Sequence, residues 1–190
     1  MTAYSTDPWA TGVLDEQRHK RLVLQKEKYA ADAGIAPHFI WTPLAETCPT
    51  AEEQAWVKRY KLHRSEGFSG LLYLGDQFDP TIEVRMSGIA GALVRNFIRA
   101  RMMSMETVYQ HMKGGEAPQA TCLLLPTFTV AKADDRRQSM VSDMLIQRWG
   151  DPQSQTVLCA PNIEVLGEIY GGFVRDHVAA TYNTIKGSKT

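Results

Sequence analysis

The residue types best suited to chemistry follow the apolar run Gly70-Leu-Leu-Tyr-Leu-Gly75, in the turn Gly75-Asp-Gln-Phe-Asp-Pro-Thr-Ile-Glu83. In an α/β sheet the ligand sits beyond the C-terminal ends of the strands, so this turn is the first place to look. A phosphate loop needs glycines that let backbone N–H groups close on the phosphate, a lysine for charge and a Ser/Thr for magnesium. Here there is one glycine, no lysine, and carboxylates at Asp76, Asp79 and Glu83. Those charges repel a triphosphate, and Pro80 removes an N–H donor. The turn reads as a surface turn. After Leu123-Leu-Leu125, where a magnesium-dependent NTPase places an acidic pair, stand Pro126 and Thr127. Neither holds a metal or polarises a water.

Other reactive types are scattered. His19, His38, His63, His111 and His177 show no H-x-H or H-x-x-x-H spacing, so no zinc site is expected. Asp134-Asp-Arg-Arg137 reads as a solvated helix start, with acids where the macrodipole favours them. Its functional alternative is a phosphate-contacting cluster of Lys132, Arg136 and Arg137. Met102, Met103 and Met105 suit packing, and Gly88-Ile-Ala-Gly91 suits close helix approach. Cys48, Cys122 and Cys159 form no C-x-x-C pair, and the last two lie in apolar runs, as small buried hydrophobes do. No catalytic set, metal or cofactor is expected.

A chain of 190 residues has the size of one domain, and 44% hydrophobic with 22% charged residues is the balance of a soluble globular protein. Lys+Arg and Asp+Glu both total 21, so no global basic field draws the chain to nucleic acid. Residues 122–126 and 157–161 are the longest apolar stretches, far short of the roughly 18 residues of a membrane span. The N-terminus lacks an apolar signal core. A cytoplasmic, reduced protein is the expectation.

The elements that must position these residues follow from periodicity. Residues 1–11 read as a loose arm, 13–33 as a helix ending at Gly34, and 35–49, with three prolines, as an extended linker. The apolar edge of helix 13–33 is thin, which suits docking on a partner or a domain edge rather than filling a core. Thr50 and Glu53 form a capping box that opens a helix to about residue 64, burying Trp56, Val57 and Tyr60. Strands are expected at 70–75, 99–104, 120–126, 155–160 and 181–185, and helices at 81–98, 105–113, 134–149 and 163–178. Strands alternating with helices give an α/β domain with a mainly parallel sheet and flanking helices.

The order of these elements, with several local strings, resembles the DnaC/DnaI/IstB group of AAA+ ATPases, the bacterial and phage helicase loaders and their transposition relatives. The likeness runs from about Asp15 to Val178. Ala33-Gly-Ile-Ala-Pro37 is similar to the string ahead of the family's ATPase core. GLLYLG sits where a strand leads into the Walker A loop, and Met105-Glu-Thr-Val108 where a short helix follows the second strand. Leu123-Leu-Leu-Pro-Thr127 takes the place of the Walker B strand, and Thr156–Asn162 resembles the sensor-1 strand, with Asn162 at the sensor asparagine. Gly171-Gly-Phe-Val-Arg-Asp-His177 lies at the arginine-finger box.

The resemblance implies an AAA+-like core over 50–190, preceded by an arm, helix and linker over 1–49. It also implies that the nucleotide machinery is gone. Only Gly75 survives of the Walker A glycines, while Thr81 and Ile82 stand where Lys and Ser/Thr belong. Pro126 and Thr127 replace the acidic pair, His177 replaces the arginine finger with Arg175 beside it, and the chain ends at Thr190 before a sensor-2 arginine. The expected function is that of an ATPase-dead, helicase-loader-like accessory in phage or plasmid DNA replication. It would bind a replicative helicase or its loader, or self-associate. The alternatives are an ATP-independent single-stranded DNA-binding module using Lys132, Arg136 and Arg137, with Phe128 the one nearby stacking residue, an active hydrolase with unusual residues, or an unrelated α/β interaction domain.

Overall fold

Side-chain alternation along three apolar strands decides the architecture. In the computed structural model, which describes residues 4–130 and 133–186, the strands are β1 (Gly70–Leu74), β2 (Ala100–Met102), β3 (Cys122–Leu125), β4 (Gln155–Ala160) and β5 (Tyr182–Lys186). They form one sheet, ordered β2-β3-β4-β1-β5, and every pairing is parallel. β1, β3 and β4 are covered on both faces, so they read as continuous apolar runs. Leu71, Tyr73, Leu124, Val157 and Cys159 point to one core, whereas Leu72, Leu123, Leu125, Leu158 and Ala160 point to the other.

The first core lies under α1 (Glu16–Leu24), α2 (Lys26–Ala33), α4 (Ala51–Lys58) and α5 (Pro80–Arg95). The second lies under α6 (Met105–Lys113), α7 (Asp135–Gly150), α8 (Ile163–Tyr170) and α9 (Gly172–Thr181). A 3-10 turn at Pro37–Ile40 and the short α3 (Leu44–Thr47) complete the chain. The α/β reading with a parallel sheet therefore holds.

Three expected helices differ from the sequence reading. The helix over 13–33 breaks at Gln25 (φ −115°), and its two halves bury Leu22, then Ala30 and Ala33, in the first core. Its thin apolar face thus docks on this chain's own domain. The helix opened by Thr50 ends at Lys58, because the Tyr60 carbonyl accepts from Gln155 Nε2 at 2.6 Å and the Tyr60 hydroxyl donates to Thr121 O at 2.9 Å. Trp56 and Tyr60 are buried and Val57 is half-buried. The helix over 163–178 is split at Gly171, whose φ of 91° and ψ of 166° belong to glycine alone.

Gly88 and Gly91 are where residues 35–49 lie against α5. A Cβ on Gly91 would stand 2.1 Å from the Phe39 carbonyl oxygen, and one on Gly88 would stand 1.9 Å from Thr47 Oγ1. The obstacle at Gly91 is backbone, which cannot rotate aside. Gly91→Ala should therefore cost about 1–3 kcal/mol in a denaturant titration. Proteolytic nicking of residues 35–49 should rise with it.

Two polar groups inside the fold were not visible as such in the sequence. Glu53 is fully buried, and its carboxylate accepts from Tyr73 Oη and Arg85 Nε, both at 2.6 Å, and from Thr50 Oγ1 at 2.7 Å. Arg148 is 5% exposed, and its guanidinium donates to Thr156 Oγ1 and to the carbonyls of Pro118, Ala120 and Gln155. Cys48, Cys122 and Cys159 are free and buried, and burial pushes each thiol up to about 12. They are structural thiols.

Candidate functional site

The C-terminal edge of the sheet gathers the loops after β1, β3 and β4 on three neighbouring strands. A ligand of an open α/β sheet would enter here. What the sequence builds is a set of polar groups that satisfy one another.

The turn after β1 closes on its own acids. Gly75 N–H donates back to the Ala160 carbonyl at 3.0 Å, which fixes the end of β1 against β4. Asp76 Oδ1 accepts from Phe78 N–H at 2.9 Å. Asp79 is the N-cap of α5, and its Oδ1 accepts from Thr81 N–H at 2.8 Å, with Pro80 at the first helical position. A helix N-terminus attracts anions through its free N–H groups and its dipole. At α5 the anion is a carboxylate of the chain itself. The backbone and side-chain hydrogen bonds from Thr81 hold the Asp79 carboxyl below its ordinary range. Thr81 is exposed and Ile82 is buried at 2% exposure.

A second closure crosses the crevice. Gln77 Nε2 donates to the Thr129 carbonyl at 3.0 Å, and Gln77 Oε1 accepts from Thr129 N–H at 3.0 Å and from its hydroxyl at 2.5 Å. This paired amide ties the turn after β1 to the loop after β3, spanning the end of the intervening β4. Pro126 and Thr127 lie beside it in a cleft of about 460 Å³ that they share with Gln77, Phe78, Met102 and Met103. Sequence reasoning did not single out Gln77 or Thr129; its one pointer was their position just beyond two adjacent strand ends.

Asn162 is exposed and caps α8, with Oδ1 accepting from Val165 N–H at 2.8 Å. It belongs to neither cleft at this edge. Arg175 is exposed and donates to the neighbouring Asp176 at 2.8 Å. His177 is half-buried at the opposite edge of the sheet, stacked on Phe173 and edge-on to both Trp149 and Tyr182, the residue that opens β5. Burial first, then the nearby Arg64 charge, lowers its proton affinity.

Of the basic cluster, Lys132 lies outside the described residues. Arg136 is exposed, and Arg137 lies over the Tyr109 ring at 5.2 Å. Asp134 caps α7 through Arg137 N–H, and Asp135 follows in its first turn. Phe128 is fully buried against Tyr170, which donates to its carbonyl, so the expected stacking residue presents no face to a base.

Among the described residues no group of three or more His, Cys, Asp or Glu is placed to hold a metal ion, and no helix is long and apolar enough to cross a membrane. No family model matches the chain, and no curated protein matches it.

Proposed function

We propose that this protein is an accessory of the helicase-loader type that acts by protein–protein contact in phage or plasmid DNA replication and hydrolyses no nucleotide. The observation that carries the reading is the Asp79 carboxylate capping the N-terminus of α5, the helix after β1, where the resemblance to helicase loaders would put a nucleotide phosphate. Asp76 and the Gln77–Thr129 pair occupy the neighbouring donors and acceptors in the same way. The order of elements, with β1, β4 and β3 side by side, supports the loader-like origin. Such an accessory keeps the lateral surfaces of the parent fold and uses them without a nucleotide cycle.

Size-exclusion chromatography with light scattering tests this on the purified chain, alone and mixed with the replicative helicase of its source cell or with that helicase's active loader. Co-elution at defined stoichiometry is expected. Elution of the chain as a lone monomer beside both partners would overturn the reading.

A further inference from the structure

The turn that closes the phosphate position forms one wall of a larger cleft. It measures about 880 Å³ and runs between the N-terminal end of α5, the end of β1, residues 46–49 and the end of β5. Its floor is apolar, from Pro49, Leu74, Pro80, Ile82 and Val84. Its rim carries the carboxylates of Glu46, Asp76 and Asp79. Among the described residues the cations lining it are Arg85, already held by the buried Glu53, and Lys186. Of these residues, three carboxylates thus face one lysine besides the paired Arg85. Asp79 and Pro80 also line the smaller cleft on the other side of the turn, where Glu83 adds a further carboxylate and Met102 and Met103 add apolar surface. Phe78, which also lines that smaller cleft, stands 77% exposed.

An apolar floor with a rim of one charge sign selects its occupant. A nucleotide or other anion is repelled. A bare divalent ion wants converging ligands, and no such group of His, Cys, Asp or Glu occurs among the described residues. A cationic head on an apolar stem satisfies both parts, as arginine and lysine side chains do. The cleft's volume of about 880 Å³ also has room for several side chains at once. We infer that it docks a basic segment of a partner protein, with arginines or lysines on the acidic rim and flanking apolar residues on the floor. The inference rests on the contact-function reading for the partner being a protein, but not on that partner being a helicase.

The test is a nuclear magnetic resonance titration of the ¹⁵N-labelled full chain. The probe is a short capped peptide in which arginines alternate with leucine and phenylalanine. Two control peptides carry glutamate for arginine, or glycine and serine for the apolar residues. Saturable shifts of the Leu74, Gly75, Thr81 and Ile82 amides are expected with the first peptide alone, weakened by added salt. The variant Asp76→Asn/Asp79→Ser keeps capping groups at both positions and removes both charges. It should bind at least about tenfold more weakly, with Glu46→Gln adding to the loss.

Absent shifts, shifts at other residues, or equal binding of the glutamate peptide would overturn the inference. So would concentration-dependent shifts of the same amides without peptide, which would make the occupant a second copy. Because no helicase enters this titration, its failure leaves the co-elution result standing, and a failed co-elution leaves the titration interpretable.

Discussion

Glu53→Leu is expected to cost about 3–5 kcal/mol of stability, because it leaves the buried Arg85 charge without its partner. The carboxylate is the meeting point of three elements: Thr50 and Glu53 on α4, Tyr73 on β1 and Arg85 on α5. Removing it also orphans the Tyr73 hydroxyl, which is 0% exposed. Arg85→Met alone should be comparably damaging from the other side. The double variant Glu53→Leu/Arg85→Met removes both charges together and should lose much less than the sum. Denaturant midpoints for the four proteins of the cycle read this directly, and additive losses would mean that the pair is not coupled.

The same group sets an acid limit. Burial tends to raise the Glu53 carboxyl, but the hydrogen bonds from Arg85, Tyr73 and Thr50 outweigh it and hold it below its ordinary value of about 4.5. A carboxylate depressed in the folded state contributes stability above its unfolded value, lost as pH falls through the folded one. The difference in stability between the natural chain and Glu53→Leu should therefore be flat from neutrality to about pH 4.5 and shrink below it. Taking the difference removes the acid-side contributions of Asp79 and Asp151, which are also depressed.

Arg148→Met is the second large loss expected, on the order of 3–5 kcal/mol. Here no carboxylate among the described residues forms an ion pair with it. The guanidinium instead gathers neutral acceptors: Thr156 Oγ1 at 2.9 Å, Ala120 O at 3.0 Å, Pro118 O at 3.2 Å and Gln155 O at 2.6 Å. Burial lowers its proton affinity, yet an arginine starts so high that it stays charged. Its removal leaves several carbonyls unsatisfied at the base of β3 and β4, where the thioether of methionine offers no donor. Arg148→Lys should rescue little, since one ammonium cannot span acceptors that a planar fork reaches. Faster amide exchange around residues 117–123 and 155–156 should accompany the drop in denaturation midpoint.

Much of the scaffold was legible because its signals are local. Gly70–Gly75 and residues 120–126 read as buried strands from unbroken apolar runs, and the Thr50–Glu53 capping box is formed as expected. The break at Gln25 was not legible, since the apolar period continues across it and packing decides which turn gives way. The break at Gly171 had a local sign, the Gly171-Gly172 pair, which the apolar period on either side outweighed in the reading. The site shows the same division. That the turn after β1 lacks the glycines and lysine of a phosphate loop is read from its residue types alone. That Asp79 caps α5 is a local fact, two residues from its Thr81 donor, whereas Gln77 clasping Thr129 across 52 positions and the Glu53 of the capping box meeting Arg85 across 32 are long-range facts. Phe128 shows the reverse error, since adjacency to basic residues in sequence suggested a stacking face that the second core consumes.

In the proposed function the carboxylates of Asp76 and Asp79 stand where nucleotide phosphates would, so that contact with a partner needs no nucleotide. Isothermal titration calorimetry of the purified chain with MgATP tests this. No saturable heat is expected up to about 1 mM nucleotide, nor any rise in melting temperature at that concentration. A saturable isotherm of unit stoichiometry, altered by Asp76→Asn/Asp79→Ser, would contradict it by showing that this turn opens to a triphosphate.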